Sequence, residues 1–172
     1  LRLREDLKRG AYANYTAELI DRFTLTDDDD ASELYRLFDE TLSRLCDDAD
    51  PLLALRYFEM HLLERLGFRP ELNVCAIGHE TILPEDQFFS YAAGGVICSQ
   101  HASHASGAFP ISMTALKLLR HIQRSPFEAV SALRVPEGIH TEADRLMVGY
   151  LTFLLERRLQ SVEFIRRLRF TH

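Results

Sequence analysis

Between residues 69 and 110 the helical period that governs the rest of this chain stops. Pro70, Gly78, Pro84, Gly94, Gly95 and Gly107 punctuate the stretch. Residues of this kind end helices, because proline lacks the amide donor and glycine loses the most backbone entropy on ordering. On either side, apolar residues recur at helical spacing. The fold must therefore combine amphipathic helices, each burying one stripe, with a single non-helical insertion over 69–110. Inside it, Gln87–Tyr91 and Gly95–Cys98 alternate and turn as the two strands of a small hairpin would.

The flanking stripes can be placed one by one. Residues 4–24 carry Leu7, Tyr15, Leu19, Ile20 and Phe23 on one face. Asp30 is placed to cap a second helix bearing Leu34, Leu37, Phe38, Leu42 and Leu45. A third opens at Asp50-Pro51, a cap followed by proline at the first helical position, and stops at Gly67. Its stripe is Leu53, Ala54, Tyr57, Phe58, His61, Leu62 and Leu66, with His61 read as a structural histidine. After the insertion, Ser112 caps a stripe of Leu116, Leu118, Leu119 and Ile122, and a short helix follows Pro126. The last long helix is expected from near Thr141, where Thr141-x-x-Asp144 has capping-box spacing, with a final amphipathic turn or helix over Ser161–Arg169. The class is mainly α: a helical bundle with a small irregular, β-hairpin, zinc-finger-like insertion.

At 172 residues and 47% hydrophobic content the chain can bury one domain's core. No apolar run approaches the roughly 18–20 residues of a membrane helix. The opening LRLREDLKRG is charged with no apolar region after it, unlike a signal peptide, and it begins in mid-pattern, so an upstream segment is expected. Three cysteines make no disulfide framework and fit a reducing cytoplasm. The net charge of −6 is uneven: residues 1–110 hold ten Lys and Arg against twenty Asp and Glu, and residues 111–172 hold ten against six. Arg157, Arg158, Arg166, Arg167 and Arg169 either hold phosphates or an acidic peptide, or form the wet side of helices. The acidic run Asp27–Asp30 reads as a solvated loop.

Two knots of metal-binding residue types stand in the insertion: Cys75-x-x-x-His79 and Cys98-x-x-His101-x-x-His104. Zinc accepts thiolate and imidazole together at such spacings, and the hairpin between the knots would bring them together. A hydrolytic zinc site is disfavoured. His79-Glu80 opens like H-E-x-x-H, but the second histidine position is Leu83, and no G-x-S-x-G elbow is present. Cys46, at the end of an amphipathic helix, reads as a packing residue.

The stretch ALRYFEMHLLERLGFRPELNVC, Ala54–Cys75, resembles the signature of the RecO family of bacterial recombination mediators. Tyr12–Phe23 resembles the family's first helix after its N-terminal domain, and Leu155–Leu168 its closing helix. The resemblance implies a non-enzymatic mediator of DNA repair and homologous recombination in the RecFOR pathway, promoting strand annealing and recombinase loading. It implies contacts with RecR, the acidic C-terminal tail of single-stranded DNA-binding protein, and single- and double-stranded DNA. The DNA contacts would come mainly through an N-terminal OB-fold. Residues 1–172 are expected to be the single helical C-terminal domain, with that OB-fold absent from this chain.

Many relatives carry C-x-x-C twice in the insertion and bind zinc. Cys75 and Cys98 match the first cysteine of each pair, His101 stands at the fourth and Gly78 at the second. The implied set is Cys75, His79, Cys98 and His101, with His104 competing for the fourth place. The alternative is a metal-free loop packed through Ile77, Ile82, Phe88, Phe89 and Val96. For the acidic tail, the resemblance nominates Arg56 as the cation and Met60 as part of an apolar slot, with Arg145 a further candidate. The alternative for Arg56 is an internal pair with Glu59 or a neighbouring helix. The competing function is a helical adaptor or regulator with no DNA role.

Overall fold

The computed structural model describes residues 5–24, 31–47 and 49–169, with side chains of the last helix described as far as Arg157. The Asp27–Asp30 run, the Asp30 cap and the side chains of Arg158, Arg166, Arg167 and Arg169 lie outside the described residues.

Three helices come first: α1 (Leu7–Phe23), α2 (Ala31–Asp47) and α3 (Pro51–Arg65). Asp6 caps α1 by accepting from the Lys8 and Arg9 amides. Asp50 caps α3 through Leu52 and Leu53, with Pro51 at the first turn, where a missing donor costs nothing. The chain leaves α3 at Gly67, in the left-handed region at φ 78. The insertion supplies β1 (Gln87–Ser90), β2 (Gly95–Ile97), α4 (Ser99–Ala102) and β3 (Phe109–Ile111). The bundle resumes with α5 (Met113–Arg124), α6 (Phe127–Ser131) and α7 (Glu137–Arg169). The fold is mainly α, as the periodicity requires.

Two expectations need correction. The last helix begins at Glu137, a turn before Thr141, because the Pro136 carbonyl already accepts the Ile139 and His140 amides. Thr141 Oγ1 therefore donates back to the Glu137 carbonyl within the helix instead of capping it. The same helix runs unbroken to Arg169, with no separate element over 161–169.

The hairpin forms as read, with Phe88 opposite Ile97 and Phe89 opposite Val96. A third strand was not foreseen. β3 pairs antiparallel with β1 to give the order β2-β1-β3, and its Pro110 is tolerated because β3 is an edge. Leu72, Cys75, Ile82, Phe89, Val96 and Ile97 belong to the same buried cluster as Phe58, Leu62, Leu119 and Met147. The insertion thus shares the bundle's core. Helix α3 runs through the middle, packed against α1, α2, α5, α6 and α7. That is why Leu55, Met60 and Leu63 are buried as well as the stripe.

Candidate metal centre

The hairpin places Cys98 at the end of β2, where it becomes the N-cap residue of α4, and His101 follows one turn later. Cys75 comes to them from the segment after α3, held by the Ala76 amide donating to the Val96 carbonyl at 2.8 Å. His101 Nδ1 then lies 3.5 Å from Cys75 Sγ and 3.2 Å from Cys98 Sγ. Three of the expected ligands are therefore together.

The fourth group is Glu80. Its Oε2 lies 3.7 Å from His101 Nδ1 and 4.0 Å from Cys98 Sγ. One donor atom from each of Cys75, Glu80, Cys98 and His101 falls within 4.8 Å of all the others. Around a tetrahedral zinc, sulfur and nitrogen ligands bonded at 2.0–2.3 Å sit about 3.5 Å apart. The separations of His101 from both sulfurs and of Glu80 from His101 and Cys98, from 3.2 to 4.0 Å, lie near that spacing.

His79 and His104 are exposed and outside this group. The reason lies in the backbone. A tight turn closes with the His79 amide donating to the Cys75 carbonyl at 2.8 Å, and His79 adopts φ 64. The turn delivers the next residue, Glu80, to the sulfurs. Gly78 makes room for it, since a Cβ there would collide with the Glu80 carboxylate and with His101 Cε1. The space next to the position that the resemblance gives to a second cysteine is filled by a carboxylate. In the sequence Glu80 stands out only as the second residue of His79-Glu80, and its adjacency to His79 is the one signal that points to it.

The surroundings of the Cys75 thiol favour its thiolate form. Burial alone would raise its pKa, but the Gly78, Cys98 and Ile77 amides and the Cys98 thiol outweigh that and bring it down to about 7. Two of those amides, from Gly78 and Cys98, approach the sulfur at 3.5 Å.

The residues nominated for partner binding are disposed differently. Arg56 is 2% exposed. Its guanidinium meets Glu59 Oε1 at 2.9 Å and Asp144 Oδ1 at 2.9 Å, and Tyr15 donates to the same Glu59 oxygen at 2.7 Å. Arg56 therefore clamps α1, α3 and α7 together, which is the internal pairing named as its alternative. Burial pushes the Tyr15 hydroxyl far up, with the Glu59 charge adding to the effect. Met60 is buried beside the Gln123 amide, and the Arg145 guanidinium lies over the Phe109 ring at 5.9 Å. The three do not converge on one slot. A groove of about 350 Å³ does open over Arg56, lined by Tyr12, Leu52, His140 and Thr141, but Glu137 and Asp144 line it too. The His61 ring lies 4.1 Å from the Tyr57 ring at a 42° tilt, its Nδ1 pairs with Glu64, and burial lowers its pKa.

No helix among the described residues is long and apolar enough to cross a membrane. A family model described as "Recombination protein O C terminal" matches residues 4–163. The chain is 36% identical over 164 residues to a DNA repair protein RecO from a Roseiflexus strain, covering 95% of this chain and 58% of that protein. It is 32% identical over 162 residues to the protein of the same name from a strain of Dehalococcoides mccartyi, covering 94% and 63%. For the Symbiobacterium thermophilum protein of that name the figures are 35% over 170 residues, 97% and 67%. The chain spans about three fifths of the length of the first two.

Proposed function

The chain belongs to the RecO family, and from that premise we propose that it serves DNA repair and homologous recombination as the helical, partner-binding portion of a mediator. The observation that carries this reading is the family match over residues 4–163, which crosses the bundle and the insertion in one continuous span. The mediator would promote annealing and recombinase loading with RecR, with the acidic tail of single-stranded DNA-binding protein, and with DNA. An OB-fold in the longer protein would supply most of the DNA contacts. The chemistry proposed for this portion is scaffolding rather than catalysis.

Within the scaffold, the reading gives the Cys75, Glu80, Cys98 and His101 cluster a structural zinc. Two thiolates, an imidazole and a carboxylate are all ligands that zinc accepts, and their spacing supports a closed four-coordinate site. The ion would tie the turn after α3 to β2 and α4.

Deleting the complete reading frame from its host should raise sensitivity to ultraviolet light and lower recombination frequency, and restoring the intact frame should reverse both. Survival and recombination unchanged by the deletion would favour the helical adaptor with no DNA role.

A further inference from the structure

We propose that the outer face of α5 is a sequence-independent site for the DNA phosphate backbone, with Lys117, Arg120 and Arg124 as its cations. The proposal rests on the DNA repair reading and assigns that reading a contact surface within this chain. Helix α5, MTALKLLRHIQR, contains no carboxylate. Its apolar stripe of Ala115, Leu116, Leu118, Leu119 and Ile122 is buried, so its charges all lie on the other side. Lys117 and Arg124 are exposed, and Arg120 is half-buried beside them. Among the described residues neither Lys117 nor Arg124 has an ion pair or hydrogen bond.

Among the described residues Lys8, Arg36, Arg134 and Arg145 also reach no carboxylate, but Lys117, Arg120 and Arg124 stand together on one helix face. The net charge is −6, and Arg22, Arg44, Arg56, Arg65 and Arg69 each reach a carboxylate. Arg120 is held in place instead: its Nε donates to the Leu72 carbonyl at 2.7 Å. Burial and the neighbouring Arg124 both disfavour its charge, while Glu71 favours it. Two cations standing together in this way are relieved by an anion bridging them. Lys117, Arg120 and Arg124 rise over about 10 Å of helix at 1.5 Å per residue, a span that admits successive phosphates of one strand.

Helix-dipole compensation accounts for cations in the last turn, where Arg124 sits, but not for Lys117 or Arg120 in the middle. An acidic peptide fits the face less well. Such a ligand gains from an apolar anchor, and every aliphatic residue of α5 after Met113 is buried.

The test is fluorescence anisotropy with a labelled thymidine oligonucleotide, titrated between about 50 and 200 mM salt. The chain should bind weakly, with log K falling linearly against log salt. The double variant Lys117→Gln/Arg124→Gln should bind more weakly and lose about 1.4 from that slope, at about 0.7 per phosphate contact on a single strand. Arg36→Gln, an exposed cation on α2, should lower the slope by less than half as much. Circular dichroism should show both variants folded. A parent-like slope in the folded double variant overturns the site while leaving the repair reading intact, because that reading is judged by survival of the deletion strain. Absence of oligonucleotide binding by the parent, or binding of an oligo-glutamate peptide to this face in place of DNA, also overturns it.

Discussion

At Glu59, burial and a neighbouring cation pull the same carboxyl in opposite directions. Burial is the larger influence and raises its pKa from 4.5 to about 7, with Arg56 and the Tyr15 hydroxyl pulling it down and Asp144 pushing it up. A carboxyl with a raised folded pKa favours the folded state most below its unfolded pKa and loses that contribution as pH rises through the folded one. Glu59 should therefore cost the protein stability between about pH 4.5 and 7. Urea unfolding of Glu59→Gln across that range should lack the decline attributable to this group. A parent and variant with parallel pH profiles would show that Arg56 keeps Glu59 ionised throughout. The proposed zinc site gives a second test at this scale. Glu80→Ala should weaken zinc retention by at least the roughly ten- to hundredfold that losing an outer-shell partner costs, and His79→Ala should leave it unchanged, as read by competition with a chelating dye. The opposite ranking would restore His79 as the fourth ligand. Cys75, Cys98 and His101, which the fold brings together, stood in the two knots that spacing picked out, but spacing did not separate them from His79 and His104. Glu80 was not legible, because its place depends on the left-handed backbone at His79, a feature that ligand spacing does not encode. The Arg56–Glu59 pair was legible at i, i+3, but its burial required knowing that α7 brings Asp144 against it.

Among elements, the contact between the insertion's sheet and α7 is the one the sequence concealed. The stripes located α1, α3 and α5 to within a few residues, with Asp50 and Ser112 marking the starts of the last two. β3 escaped because three residues containing proline carry no strand pattern of their own; β1 recruits them. At the sheet's base Tyr91 stacks on Tyr150 with centroids 6.1 Å apart, packs edge-on to Phe89, and donates to the Arg145 carbonyl at 3.4 Å. Its ring lies directly over Gly149, where an added Cβ would collide with the phenol oxygen and ring carbon. Glycine in mid-helix costs about 1 kcal/mol relative to alanine, so the usual expectation for Gly149→Ala is stabilisation. Here Tyr91 would be displaced, and overpacking of this kind costs about 1–3 kcal/mol. Gly149→Ala should therefore be net neutral or destabilising in chemical denaturation. Combined with Tyr91→Ala, the same substitution should become stabilising relative to Tyr91→Ala alone. Additive effects in the two backgrounds would mean that Tyr91 does not press on this helix.

At the scale of the whole molecule, the shared core decides how the protein would respond to loss of a zinc held at the proposed site. Small autonomous zinc modules unfold when stripped, because the ion contributes most of their folding energy. This insertion is built differently. Leu72, Phe89, Val96, Ile97 and Ile111 are at most 1% exposed and lie in the cluster that also holds α3, α5 and α7. Burying one such side chain contributes about 1.5–3 kcal/mol, so the group's burial is not undone by losing one ion. The contribution of the proposed zinc should be local, confined to the turn after Val74, to Thr81, which bridges back to Val74, and to α4. Stripping zinc at neutral pH should leave the helical circular dichroism intact and lower the thermal midpoint by roughly 5–10 °C. That corresponds to about 2–3 kcal/mol at about 2–4 °C per kcal/mol for a chain of this size. Hydrogen exchange should quicken over 74–83 and 98–104 while β1 and the bundle stay protected. Unfolding should remain a single transition, because one core links the two regions. Exchange released across the whole of 69–110, with Tyr91 detached from α7, would show instead that the ion holds the insertion to the bundle. Protection unchanged throughout would show that the apolar packing alone fixes the loop.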